Sequence, residues 1–274
     1  MTPLPNGTVI NDANKIIRAE DIFSYNHSNQ FGHGQGSVAG FSDIFRYKLL
    51  YEMGGWWTDM DITCLRPLDF EAPFVFRTHT TLPVVGNIMK CPAGSQLMLD
   101  CYKQAVRDVN AGNKNWLKPI EILNANIKAQ KLEHYILPNI CLPDHHGLIQ
   151  ILLNFKLTIP ADAYFIHWMN EEWRSKNKNK NHFRIESTYG SFLQEFGVVE
   201  TDFNWWQLWM NNIKAYNPLQ HIHLLLWHYP KYYYLLKGVK KFIKKRIFLM
   251  KVEPSSPDLI FDFIHNRKRG FARR

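Results

Sequence analysis

Asp59 and Asp61 stand one residue apart in Trp56-Trp57-Thr58-Asp59-Met60-Asp61, directly behind a pair of tryptophans. Two carboxylates at that spacing, delivered at a strand end, suit a hard divalent cation that takes oxygen ligands beside a phosphate. Upstream, Asp43 and Arg46 lie three residues apart, so on a helix they share one flank and can be offered together to the hydroxyls of a ligand. Asp-x-Asp by itself is a weak pattern, because two acids at this spacing often sit solvated in a turn. Its meaning depends on what surrounds it.

The elements that must carry these residues are marked locally. Phe41, Ile44, Phe45, Leu49 and Met53, spaced by three and four, predict a helix with one buried apolar face. Ser42 is the expected N-cap. Gly54-Gly55 are the left-handed residues that end the helix and let the chain reverse into the aromatic strand. Farther along, residues 74–76 and 87–90 read as sheet strands, Pro92 to Ser95 open a helix from Gln96 to about Val109, and residues 150–154 and 163–168 fit a short element and a late strand. Near the start, Thr8 to Ile10 read as a short strand or turn and Ala19 to Ser24 as a helical turn, while Gly32 to Gly36 are too irregular for a phosphate-cradling glycine loop. Alternating strands and helices predict an α/β sandwich.

The run Ser42-Asp43-x-x-Arg46, then Gly54-Gly55-x-x-x-Asp59-x-Asp61, resembles the sugar-binding region of glycosyltransferase family 32. That family includes bacterial capsule and lipopolysaccharide transferases, yeast initiating mannosyltransferases and animal α-1,4-galactosyltransferases, and the clostridial glucosylating toxins share its core pattern. A second stretch, Ile166-His167-Trp168-Met169-Asn170-Glu171-Glu172-Trp173-Arg174, is similar to a His-Leu-Trp-Asn-Glu-Met-Trp-Arg segment near the end of the catalytic domain in the capsular branch, with Met169 making the register approximate. The resemblance covers about residues 3 to 200.

The resemblance implies a GT-A-like nucleotide-sugar-binding fold and retaining transfer of a hexose from a nucleotide diphosphate, UDP-linked, to a saccharide or glycolipid acceptor in surface polysaccharide or lipopolysaccharide synthesis. It implies Mn2+ or Mg2+ held by Asp61, with Asp59 and His167 as further metal ligands. Asp59 would otherwise meet the ribose, the donor sugar or a metal-bound water, and His167 the diphosphate. Asp43 and Arg46 would hold the hydroxyls of the transferred sugar, Trp57 would pack on the nucleotide or sugar face, and Trp168 and Asn170 would belong to a loop covering the nucleotide. The plain alternatives are a surface helix ion pair, a core aromatic and a structural histidine. No catalytic base is assigned. Relatives open with a strand resembling Ile-Pro-Lys-Ile-Ile-His-x-x-Trp, which helps bind the base, whereas residues 1–7 resemble the loop after the family's second strand. The fold is therefore expected to lack its first strand, and the competing expectation is a truncated, non-catalytic relative that binds glycans or a membrane.

Composition agrees with a packed globule: 46% of residues are hydrophobic and 14% aromatic, which argues against disorder. Cys64, Cys91, Cys101 and Cys141 show neither zinc-site spacing nor a dense disulfide pattern. Asp144-His145-His146 reads as acceptor-side surface or loop, since adjacent histidines point different ways on most backbones, and Lys176 to Asn181 as a solvated loop. The chain changes character near Phe203, so residues 1–202 are expected to form the catalytic domain and 203–274 an aromatic, basic, helical extension. In the latter, Leu235, Val239, Phe242, Ile243, Ile247 and Met250 repeat at helical spacing among lysines, with no acid over residues 235–252. Such a helix can lie on an anionic membrane surface, or pack its apolar face on the catalytic domain with its lysines solvated. The net charge of +9 is concentrated in this tail without a nucleic-acid motif, so no nucleic-acid partner is expected. No apolar run reaches the roughly 18 to 20 residues that span a bilayer, and no leader-like start is evident. The expected location is cytoplasmic, with the basic tail on the inner face of the membrane.

Overall fold

The alternation of short apolar strands with amphipathic helices produces a mixed α/β architecture in a computed structural model that describes residues 7–32, 34–142, 148–175, 182–199, 204–215, 229 and 232. The chain divides into two compact units, Met1–Tyr216 and Asn217–Arg274. All elements named below lie in the first. The stretches 143–147, 176–181 and 235–252, for which a loop, a solvated loop and a basic helix are expected, lie outside the described residues.

Helix α1 spans Ala39–Met53. It begins earlier than the sequence suggests: Ser42 donates its backbone N–H to Val38 O at 3.0 Å and so lies inside the first turn, not at the cap. The buried face is also rotated. Ile44, Tyr47 and Leu50 are inside with Arg46, whereas Met53 is 67% exposed. The cause is tertiary, because the Tyr47 hydroxyl donates to Pro119 O at 2.9 Å and draws that face toward the helices behind the sheet. The end of α1 is as expected. Gly54 has φ 63° and ψ −157°, donates to Leu50 O at 2.9 Å, and is followed by Gly55 with φ 81°. Gly54 cannot be replaced cheaply, since a Cβ there would stand 2.3 Å from Ala93 N.

Strand β1 (Gly55–Thr58) then runs antiparallel to β4 (Val85–Cys91), with Trp57 opposite Met89. Next to β4 lies β3 (Val75–Arg77), antiparallel, and beyond it β5 (Ile136–Leu137), parallel, giving the order β1-β4-β3-β5. Both faces of the sheet are covered, so β4 is buried along nearly its whole length, although it carries Asn87 and Lys90. Phe76, Met89 and Trp57 face the core formed with α1, α2 (Gln96–Asp108) and α3 (Lys118–Ala129). The neighbouring residues Val75, Ile88 and Trp56 point the other way, toward Phe165 and Ile140. A period of two thus distributes the paired tryptophans to opposite faces.

A separate two-stranded ribbon pairs β2 (Ile62–Cys64) with β6 (Phe165–His167), antiparallel, with Ile62 opposite His167. Helices α4 (Leu148–Asn154), which precedes β6, and α5 (Asn170–Ser175) and α6 (Thr188–Glu195), which follow it, surround a smaller core of aliphatic and aromatic residues that contains Trp173. Helix α7 (Trp205–Ala215) closes the first unit. Residues 8–10 form no strand. Among the described residues no helix is long and apolar enough to cross a membrane.

Candidate functional site

The turn between β1 and β2 carries Asp59, Met60 and Asp61, and three other elements converge on it. From α1, Arg46 places Nη2 3.2 Å from Asp43 Oδ1 and 3.2 Å from Asp59 Oδ1. The guanidinium lies over the Trp57 ring, 5.2 Å from its centroid, and the Trp57 indole N–H donates to Asp59 Oδ1 at 2.7 Å. Arg46 is thus buried in a frame of two carboxylates and an aromatic face, which is how a guanidinium tolerates the interior. Its Nε is buried without a hydrogen-bond partner, a donor left over in the frame.

Electrostatics follow from that frame. Burial pushes the Asp43 carboxyl up to about 6, against the pull of Arg46 and with the help of the nearby Asp59 charge. Burial works against the Arg46 charge, yet Asp43 and Asp59 outweigh it and Arg46 holds its proton more tightly than usual. Asp61 behaves differently. Burial raises its carboxyl, but hydrogen bonds from His167 and the Asn170 N–H and the His167 charge prevail, so it lies below the usual carboxylate range.

The ribbon explains how residues so far apart in sequence meet. With Ile62 opposite His167, the chain leaving β6 runs beside Asp61: Trp168 N–H donates to Asp61 O at 2.9 Å, Asn170 N–H to Asp61 Oδ2 at 2.8 Å, and His167 Nε2 lies 3.5 Å from the same oxygen. The Trp168 indole donates to Thr63 Oγ1 at 2.8 Å, and Trp173 Nε1 to Trp168 O at 2.6 Å. Met169 makes the bend with φ 46°, unusual for a residue that is not glycine, and thereby aims Asn170 N–H at the carboxylate.

Two cavities meet at this turn and share Ser42, Asp59 and Asp61. One, of about 760 Å³, is walled by Met60, Trp168, Asn170, Trp173 and Tyr189. The other, of about 540 Å³, is lined by Asp43, Arg46, Arg77, Gly86, Asn87 and His167, among others. Both are in the size range of small-molecule and cofactor sites. Asp43, Arg46, Asp59, Asp61, His167, Trp168 and Asn170 are therefore brought together. Trp57 is not among the residues lining either cavity; it supports Arg46 and Asp59 from behind.

Sequence reasoning missed the contribution of β4. Asn87 O accepts the Asp59 N–H at 2.9 Å while its side-chain oxygen accepts from Arg77 Nε at 2.7 Å. A Cβ on Gly86 would come within 2.9 Å of Arg46 Nη1, so glycine leaves room for the guanidinium. Only the Gly-Asn pair inside an apolar strand could have signalled this.

Among the described residues no group of three or more His, Cys, Asp or Glu side chains forms a cluster fit to hold a metal. Asp61 and His167 place an oxygen and a nitrogen 3.5 Å apart at the cavity edge, and Asp59 Oδ1 is engaged by Arg46 and Trp57. Such an edge fits Mg2+ or Mn2+ of the kind that draws most of its ligands from substrate phosphates and water.

Mixed sheet, paired carboxylates and twin cavities define the class: an α/β protein with a polar, small-molecule-sized site at the turn after β1. Residues 10–78 match the family model described as the glycosyltransferase sugar-binding region containing a DXD motif. The match takes in Asp43, Arg46, Asp59 and Asp61, and it supports a transferase domain of the glycosyltransferase family 32 type acting on nucleotide sugars. No curated protein and no solved structure matches the chain.

Proposed function

We propose that this protein is a metal-dependent retaining hexosyltransferase that takes its sugar from a nucleotide diphosphate, UDP by preference, and passes it to a saccharide or glycolipid acceptor in surface polysaccharide or lipopolysaccharide synthesis. The observation that carries the reading is that Asp59 and Asp61 stand on the rim common to both cavities, with the Asp43–Arg46 pair in one and Trp168 in the other. In this arrangement the nucleotide diphosphate occupies the aromatic cavity, covered by Trp168 and Asn170, and the hexose lies against Asp43 and Arg46. Asp43 accepts from sugar hydroxyls, Arg46 donates to them, and Asp59 meets the donor at the junction.

Asp61, with His167 and Asp59, would hold Mn2+ or Mg2+, which when bound supplies charge neutralisation to the departing diphosphate. The protein's own part is positioning and water exclusion. The acceptor hydroxyl approaches the anomeric carbon from the face the nucleotide leaves, and the departing phosphate oxygen takes its proton. Retention follows from that front-face geometry. The working location is the cytoplasm, where nucleotide sugars are supplied.

The test is release of free nucleotide from a panel of UDP-sugars and GDP-mannose by the purified protein, with Mn2+ or with a chelator. Turnover of one donor that stops on chelation supports the proposal. A folded protein that binds no donor nucleotide in the presence of metal overturns it and leaves a glycan-binding relative.

A further inference from the structure

Helix α7 presents an aromatic face to solvent that the site does not use. Trp205 is 73% exposed, Trp206 52%, Trp209 48% and Ile213 49%. Trp205, Trp209 and Ile213 recur every four residues and so form one row along the helix, with Trp206 beside it. Trp206 and Trp209 stack, with centroids 4.9 Å apart at 29°. The helix start is locked by a reciprocal cap: Asn204 Oδ1 accepts the Gln207 N–H and Gln207 Oε1 accepts the Asn204 N–H, both at 2.9 Å. This is the capping-box geometry with an amide in each role. The indoles are therefore held out by a defined helix, and a cluster of this kind on a protein surface marks a place of interaction.

Charge says what kind of partner fits. From Phe203 to Val252 the sequence contains no aspartate or glutamate, while Lys214, Lys231, Lys237, Lys240, Lys241, Lys244, Lys245, Arg246 and Lys251 supply nine basic residues. This excess of basic residues in the sequence favours an anionic partner. Tryptophan is the side chain most at home in the headgroup region of a bilayer, where its ring meets acyl chains and its N–H meets polar groups. Nucleic acid is less well matched, because Lys214 is the sole basic residue on α7 itself.

We propose that α7 docks this protein onto an anionic lipid bilayer, with Trp205, Trp206 and Trp209 entering the headgroup region and the basic residues that follow in sequence supplying the attraction. The docking is independent of which reaction the site performs.

The experiment is co-sedimentation of the full chain with vesicles of phosphatidylcholine alone or mixed with phosphatidylglycerol, at low and high salt. Wild type is expected to bind the anionic vesicles and to be released by salt. Combined Trp205→Ser, Trp206→Ser and Trp209→Ser should weaken binding at least about tenfold with an unchanged circular dichroism spectrum. Lys240→Gln, Lys241→Gln, Lys244→Gln and Lys245→Gln together should weaken binding and flatten its salt dependence. Should the triple tryptophan variant not fold, Trp209→Ser alone carries the same test with a smaller loss. The proposal is overturned if wild type shows no preference for anionic vesicles or if the tryptophan variants bind as wild type does. It is equally overturned if the chain ignores vesicles but self-associates through these tryptophans, or if it ignores vesicles but binds an oligonucleotide.

Discussion

Arg46 Nη2 lies 3.2 Å from Asp59 Oδ1, so the carboxylate that follows strand β1 is held by a guanidinium from helix α1. The same nitrogen is 3.2 Å from Asp43, and the same oxygen receives the Trp57 indole at 2.7 Å. These four side chains act as one support, so the proposed ligand site and folding stability depend on the same contacts.

Removing the cation should therefore be felt in both. Arg46→Ala leaves two carboxylates facing each other and is expected to cost about 3 kcal/mol or more in urea unfolding at neutral pH, the scale of breaking a buried ion pair by deleting one partner. Arg46→Lys keeps the charge but not the planar fork, and should recover only part of that loss.

Asp43 makes a pH signature. Burial pushes its folded-state carboxyl up to about 6, above the ordinary aspartate range, so the folded protein binds this proton more tightly than the unfolded chain. The resulting stability is fully present below pH 3.8 and is lost as pH rises through about 6. The difference from an ordinary aspartate corresponds to about 2–3 kcal/mol. Comparing unfolding free energies between pH 4 and 7 for wild type and Asp43→Asn checks it: the variant should lack this part of the slope. On the proposed reading, in which the ionised Asp43 accepts from a sugar hydroxyl, donor turnover should rise over the same interval.

Asp61→Asn preserves the shape that accepts the Asn170 N–H but removes the charge. Calorimetric titration with Mn2+ and UDP should show binding weakened, and kcat/KM should fall on the order of a hundredfold or more, the scale of losing one charge-stabilising group. Unchanged Mn2+ affinity in this variant would remove Asp61 from the metal site.

Gly86→Ala places a methyl 2.9 Å from the present position of Arg46 Nη1. The guanidinium must move, while the backbone needs no left-handed conformation. The expected result is a raised KM for the donor with a loss of only about 1 kcal/mol in stability. Steady-state kinetics beside thermal unfolding separate the two effects.

Gly54→Ala is the opposite case. A positive φ and a Cβ 2.3 Å from Ala93 N combine strain with a backbone clash, so a destabilisation of about 2 kcal/mol or more is expected, read from denaturant unfolding.

Much of the site's local framework is legible in residue order. The Gly54-Gly55 stop, the strand with alternating tryptophans and the carboxylates after it depend on backbone sterics and on a period of two, which neighbouring residues decide among themselves. Strand β4 and helix α2 fall close to where their patterns place them. Helix α3 has little beyond Pro119 in its first turn as a start signal.

By itself the sequence determined the type and spacing of the acids, the helix that presents Asp43 beside Arg46, and the turn that offers Asp59 and Asp61, because each is a short-range consequence of chain geometry. Tertiary structure alone decided which face of α1 is buried, that β2 pairs with β6 so that His167 and Asn170 reach Asp61, and that Gly86 and Asn87 complete the frame around Arg46 and Asp59. Those contacts join residues far apart in the chain, and their partners are selected by the packing of sheet on helix, which no local pattern encodes.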